Sequence, residues 1–233
     1  MSTFLFLLPP SEGKRTGGNG ENEVLSFPFP KPKTIACSAS DKDLKCSGKR
    51  YAEALELNQK VGNTPTCSAI ERYNGVMYHA LDYPNLSQTG KVFFNKHFLI
   101  LSGYYGLLKP QDRICNYKLP IATKGLYDFW GEKITKTLME LQPQLIISLL
   151  PHDYLKMLIN KASKELRKSF GGKFVHLQFL DQEGKKLIHN SKSIKGERIK
   201  KLSEKAIQNQ EDLMTFLQTS DEKLAMLNLL EKL

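Results

Sequence analysis

Thr3-Phe4-Leu5-Phe6-Leu7-Leu8, running into Pro9-Pro10-Ser11-Glu12-Gly13-Lys14-Arg15-Thr16-Gly17-Gly18, is the stretch that decides the fold. A strand covered on both faces loses the apolar–polar alternation of a half-exposed one, so this unbroken apolar run reads as a buried strand. The prolines and glycines behind it read as a loop. The same grammar returns twice. His97–Leu101 runs into Ser102-Gly103-Tyr104-Tyr105-Gly106, and Leu145–Leu150 runs into Pro151-His152-Asp153.

Helical spacing fills the intervals. It predicts a helix over Lys49–Lys60 with Ala52 and Leu55 inward. Thr64 as N-cap and Pro65 at the first helical position predict a second, carrying Ala69, Ile70, Tyr73, Val76, Met77 and Ala80 inward. Leu126–Leu141 is a third, stopped by Pro143, and another starts at His152 and runs through Ile159. Asn19 to Lys33 reads as irregular. Lys173–Leu180 and Lys185–His189 read as a hairpin across Asp181-Gln182-Glu183-Gly184. Residues 194–233 read as helical. The expectation is an α/β fold over 1–233 as a single domain: a mixed central sheet with flanking helices and a late antiparallel hairpin.

With 233 residues, 40% apolar and 25% charged, the chain can build a real core, which sets disorder aside. No apolar run approaches the roughly 20 residues of a membrane span. The start lacks a basic segment and a cleavage site, so no signal peptide is expected and the protein is placed in the cytoplasm. Cys37, Cys46, Cys67 and Cys115 form no Cys-x-x-Cys pair and read as independent reduced thiols. The net charge of +10 is clustered. Lys156 to Lys205 carries 14 Lys/Arg against five Asp/Glu, Lys31 to Arg50 six against two, and Ala206 to Leu233 two against five. Clustered basic charge attracts polyanions, nucleic acid first among them.

Ligands of open α/β sheets bind beyond the carboxyl ends of strands. The loop after the first strand therefore offers Ser11, Gly13 and Lys14 as an anion site, with Glu12 as a base or a partner for Lys14. It is not a phosphate loop of the Gly-x-x-x-x-Gly-Lys-Ser/Thr kind. Ser102, Tyr105 and Asp112 lie in the loop after the second strand. Tyr105 would stack on or bond a base, and Asp112 would accept a proton. Trp130, in an aromatic cluster, reads as core. His79, His97, His152, His176 and His189 have no metal-binding spacing, so no metal site is expected, and no motif names a cofactor. A Gly-x-Ser-x-Gly elbow is absent.

Five blocks in order carry a resemblance: Leu8-Pro9-Pro10-Ser11-Glu12-Gly13-Lys14 with Gly17-Gly18; Ala69 to Leu81; Leu101 to Asp112 with Tyr117-Lys118-Leu119; Leu126 to Gly131; and Ser148 to Tyr154. Together they resemble the YaaA family of peroxide stress proteins, in its Pro-Pro-Ser-Glu-Gly-Lys branch. The resemblance implies an α/β fold with a positively charged cleft and protection from hydrogen peroxide by limiting iron-driven damage. It also implies DNA binding through a helix-hairpin-helix, matching about Lys49–Tyr73 with its turn at Val61-Gly62-Asn63-Thr64-Pro65. Lys14, Arg15, Lys49, Arg50 and Arg72 are then the phosphate-contact candidates, with Lys185, Lys186 and Lys192 flanking the cleft. The rival reading is an enzyme acting on a nucleobase, nucleotide or other small anionic substrate at the Ser11–Lys14 and Ser102–Asp112 loops.

Overall fold

The computed structural model describes residues 4–180, 183–185, 187 and 191–218, together with the backbone of Leu224–Asn228. Phe4–Leu8 forms strand β1, and all five residues are buried. Cys67–Ser68 is β2, Phe98–Ser102 β3, Gly106–Leu108 β4, Arg113–Ile114 β5, Leu145–Ser148 β6, Lys173–Phe179 β7 and Leu224–Asn228 β8. Six of them make one sheet in the order β4-β3-β1-β6-β7-β8. β1 pairs in parallel with β3 (Phe6 opposite Phe98) and with β6 (Phe6 opposite Ile147), and β6 pairs in parallel with β7. Both edges are antiparallel, β4 on β3 and β8 on β7. β2 and β5 form a separate antiparallel pair.

This is the mixed sheet with flanking helices that the apolar runs predict. β1 lies at its centre, with β3 reached on one side and β6 on the other. The chain therefore reverses direction across the sheet beside β1, which opens a crevice beyond the carboxyl ends of β1 and β6. The rings of Phe6, Phe98 and Phe94 stack at 4.5–4.7 Å in the core beneath it.

Several local expectations are corrected. β7 pairs antiparallel with β8, and the hairpin expected over Lys185–His189 falls largely outside the described residues. Of that segment residues 186 and 188–190 lie outside the described residues, and Leu187 gives one backbone hydrogen bond to Phe179. The C-terminal stretch expected to be helical holds helices Ser191–Lys205 and Gln210–Gln218, then the strand β8. Leu, Ala and Met favour helices in isolation, but the open edge of β7 supplies a ladder of hydrogen bonds that outweighs so weak a preference.

The helix expected from Thr64 is broken. Thr66 pairs with Gly20, Cys67 with Ile114 and Ser68 with Arg113, so this segment is extended. Only a turn of helix, Ala69–Arg72, precedes a second break at Tyr73 and a new helix, Val76–Leu81. The hairpin between two helices that the resemblance implies here therefore lacks a full second helix. Leu126–Leu141 is likewise two helices, Leu126–Trp130 and Lys133–Glu140. Between them Gly131 takes φ 48°, which glycine reaches without a Cβ clash. Helix Gly48–Gln59 stands where predicted, but turns Ala54 and Asn58 inward and leaves Ala52 exposed.

Helix Ser191–Lys205 packs along Val76–Leu81 and Gln88–His97. Among the described residues no helix is long and apolar enough to cross a membrane.

Candidate functional site: a lysine-lined cleft at the sheet edge

A cleft of about 930 Å³ opens beyond the carboxyl ends of β1, β6 and β7. Its walls come from the loop after β1 (Pro9 to Lys14), from Gly75–Tyr78, from Tyr117–Ala122, from Leu150–Leu155, and from the end of β7. Lys14, Lys45, Lys118, Lys192 and Lys195 line it against the carboxylates of Glu12 and Asp153. Its volume falls within the range that holds a small-molecule ligand, and its charge favours an anion.

The loop that carries Lys14 is held from below by Arg72. This guanidinium is fully buried and donates to four backbone oxygens: Arg15 (2.5 Å), Gly17 (2.8 Å), Pro65 (2.9 Å) and Ile114 (3.0 Å). Lys14 also bridges to Tyr73, and Asn74 N–H donates to Gly13 O. Ser11 Oγ accepts from Gly75 N–H at 3.2 Å, tying the loop to the start of helix Val76–Leu81.

Lys14 is drawn into the wall of the cleft. Its Nζ donates to Ser11 O at 3.0 Å and lies 4.4 Å from the centroid of the Tyr117 ring and 5.7 Å from that of Tyr73. Burial, reinforced by the charge of Lys118 and then of Arg72, lowers its pKa to about 7, while Glu12 works against the drop. An amine at this value changes charge near neutral pH. At the mouth, Glu12 accepts from Lys118 Nζ at 2.9 Å, and that bond holds its carboxyl below the usual range. Lys118 is set in turn by Asn58. This buried amide donates to Lys118 O (2.8 Å) and to Ala36 O (2.9 Å), and accepts from Lys118 N (2.8 Å).

A chain of hydroxyls runs under the amine. Ser102 Oγ accepts from the N–H groups of Tyr104 (3.2 Å) and Tyr105 (2.9 Å). It lies 2.8 Å from Tyr117 OH, which lies 2.8 Å from Tyr73 OH. All three side chains are buried. Burial pushes Tyr117 up to about 12, with the bonds from Ser102 and Tyr73 pulling the other way, so it is a neutral phenol at physiological pH. Tyr78, whose OH donates to Pro9 O, and Tyr154 complete the aromatic wall, and burial raises both.

Of the residues singled out in the sequence, Ser11, Glu12, Gly13, Lys14 and Lys192 line this cleft. Ser102 stands one hydrogen bond beneath it. Tyr105 is fully buried, donating to Glu23 and accepting from Cys115 N–H at 3.1 Å. Asp112 is consumed in a loop, accepting from Ser26 N–H, Ser26 Oγ and Lys109 N–H. Neither faces the cleft. Arg72 points into the protein, away from any phosphate. Arg15, Lys49 and Arg50 are exposed, and Lys49 sits 3.9 Å from Glu53. Lys185 is exposed and paired with Glu183 at 2.7 Å, and Lys186 lies outside the described residues. Trp130 is core, its Nε1–H donating to Gly103 O at 2.9 Å.

The residues that residue-by-residue reading missed are Tyr117, Lys118 and Asn58. Tyr117 and Lys118 sit in an extended segment with no periodicity to mark it, although Tyr117-Lys118-Leu119 is part of one resembling block. Among the described residues, no three or more His, Cys, Asp or Glu converge as a metal-binding group.

These features define an α/β protein with a lysine-lined cleft at the carboxyl edge of a mainly parallel sheet. The family model described as "Peroxide stress protein YaaA" matches residues 30–225. The chain is 31% identical to a UPF0246 protein of Corynebacterium glutamicum, over 93% of each chain. It belongs to the peroxide stress protein YaaA family. It is also 29% identical to a UPF0246 protein of Lactobacillus acidophilus, over 66% of this chain and 62% of the relative. A UPF0246 protein of Malacoplasma penetrans is 34% identical over 46% of this chain and 47% of the relative. The matches with these last two thus span about half to three fifths of those relatives' length.

Proposed function

We propose that this member of the family works through the cleft as a binding and reaction site for a small anionic molecule of the nucleobase or nucleotide class. The observation that carries the reading is Lys14: an amine held at the edge of ionisation, on the face of Tyr117, in a pocket of ligand size. When protonated it attracts an anionic group. When neutral it takes up a proton from the bound molecule, which makes it the general base or acid in place of Asp112. Glu12 and Lys118 form the charged mouth. Lys45 and Lys192 supply further attraction for phosphate.

The reading is tested by calorimetric titration with the four ribonucleoside monophosphates and their free bases near pH 6.5. Binding that disappears in Lys14→Met supports it. Absence of binding to every probe refutes it.

The second reading is DNA binding, favoured by the basic excess of 14 to five between Lys156 and Lys205. Arg15, Lys45, Lys49, Arg50 and Lys192 are then the phosphate contacts, since Arg72 is internal. Affinity for a labelled duplex that falls steeply with salt, and less steeply in Arg15→Ala, supports it; no affinity at low salt ends it. Protection from iron-driven peroxide damage in the cytoplasm is the cellular consequence we attach to either reading. It is tested by peroxide survival of cells carrying Lys14→Met.

A further inference from the structure

We propose that Tyr117 is the hydrogen-bond donor with which the cleft recognises its ligand, a planar ring bearing an unprotonated oxygen or nitrogen, as a nucleobase does. The inference rests on the small-molecule reading above and specifies what that site selects.

The argument is a count of protons along the hydroxyl chain. A hydroxyl carries one proton and two lone pairs. Both lone pairs of Ser102 Oγ are engaged by the N–H groups of Tyr104 and Tyr105. Its single proton therefore goes to Tyr117 O, 2.8 Å away. One proton serves the Tyr117–Tyr73 contact at 2.8 Å. Three hydroxyls hold three protons, and these two contacts use two of them. One phenol proton is left over, on Tyr117 or on Tyr73, among side chains that are 2% exposed.

A buried donor without an acceptor is costly, so this proton has a use. Tyr117 lines the cleft and Tyr73 does not. With Tyr73 donating to Tyr117 O, the Tyr117 proton points to an acceptor inside the cleft, beside the Lys14 amine. Ser102 is then a positioning residue: with both its lone pairs engaged it cannot take the Tyr117 proton. A neutral phenol and an amine on one wall suit a ring that presents a hydrogen-bond acceptor and carries a phosphate toward the lysines.

The test is calorimetry of AMP, GMP, CMP and UMP with wild type, Tyr117→Phe and Tyr73→Phe. Tyr117→Phe keeps the ring face under Lys14 and removes the donor. Tyr73→Phe also removes one hydroxyl from the chain but leaves the Tyr117 proton in place. For the nucleotide that wild type binds, Tyr117→Phe is expected to weaken affinity about tenfold, and Tyr73→Phe by less than about twofold. Unchanged affinity in Tyr117→Phe, or equal losses in both variants, overturns the inference while leaving the small-molecule reading intact. No binding by wild type overturns both. If Tyr117→Phe does not fold, the ligand is varied instead: an analogue of the bound nucleotide in which a C–H replaces the ring's acceptor should bind the wild type about tenfold more weakly, and unchanged affinity for every such analogue overturns the inference.

Discussion

Replacing Lys14 with Met gives a pH signature that a surface lysine would not. Burial lowers Lys14 from 10.5 in the unfolded chain to about 7 in the fold. Between these values the unfolded chain holds a proton that the folded chain has released. Stability of the wild type therefore rises with pH across this window. Below pH 7 both states are protonated and the cost of burying the charge is constant; above 10.5 both are neutral and it is gone. The full difference is of the order of 5 kcal/mol at 1.36 kcal/mol per pH unit, as an upper bound for an amine that borders an open cleft. Within the window, between pH 7 and 9, the wild type should gain about 2 kcal/mol relative to Lys14→Met. Other titrating groups are common to both proteins and cancel, as do the pH-independent losses of the bond to Ser11 O and of side-chain packing. The assay is urea unfolding of both proteins at pH 6, 7, 8 and 9. Convergence of the two curves as pH falls below 7 to a constant offset, with a relative gain for the wild type above it, is expected. Parallel profiles from pH 7 to 9 would refute the claim that Lys14 ionises near neutrality.

Arg72→Met should destabilise the protein by at least about 3 kcal/mol in urea unfolding, because four backbone oxygens lose a charged donor. Glu12→Gln should change stability by less than about 1 kcal/mol, since the Glu12 side chain is 72% exposed. It should also move the pH midpoint of nucleotide binding downward, because Glu12 is the charge that helps Lys14 keep its proton; calorimetry between pH 5 and 8 reads the shift. Gly196→Ala should cost about 1–3 kcal/mol and lower the melting temperature, as a Cβ there would stand 2.2 Å from Met77 O and 2.7 Å from Ala80 Cβ where two helices cross.

Much of the frame was legible because buried strands announce themselves. β1, β3 and β6 are unbroken apolar runs, and each is entirely buried. The loops after β1 and β6 were readable as walls of one cleft because crevices follow from sheet topology, whereas the loop after β3 does not line it. β8 was not legible: Leu224 to Asn228 has helix-forming composition, and only the free edge of a strand some 50 residues earlier makes it extended. The two-residue ladder of β2 and β5 is too short to leave a period. The same limit governed the site. Lys14 and Glu12 stood out because charge beside glycine after a strand is a local signal. Arg72 read as a surface cation because its four carbonyl partners come from three separate segments, at Arg15 and Gly17, Pro65 and Ile114. Asp112 read as a base for the same reason, its partners including Ser26, 86 residues away. Tyr117 gained its meaning only when Ser102 and Tyr73 were brought to it by folding.

The most direct test of the central claim is calorimetric titration of the wild type and Lys14→Met with the four nucleoside monophosphates at pH 6.5. The account predicts saturable binding of at least one of them to the wild type and none to the variant at the same concentrations. Equal binding by both proteins, or none by the wild type, would contradict it.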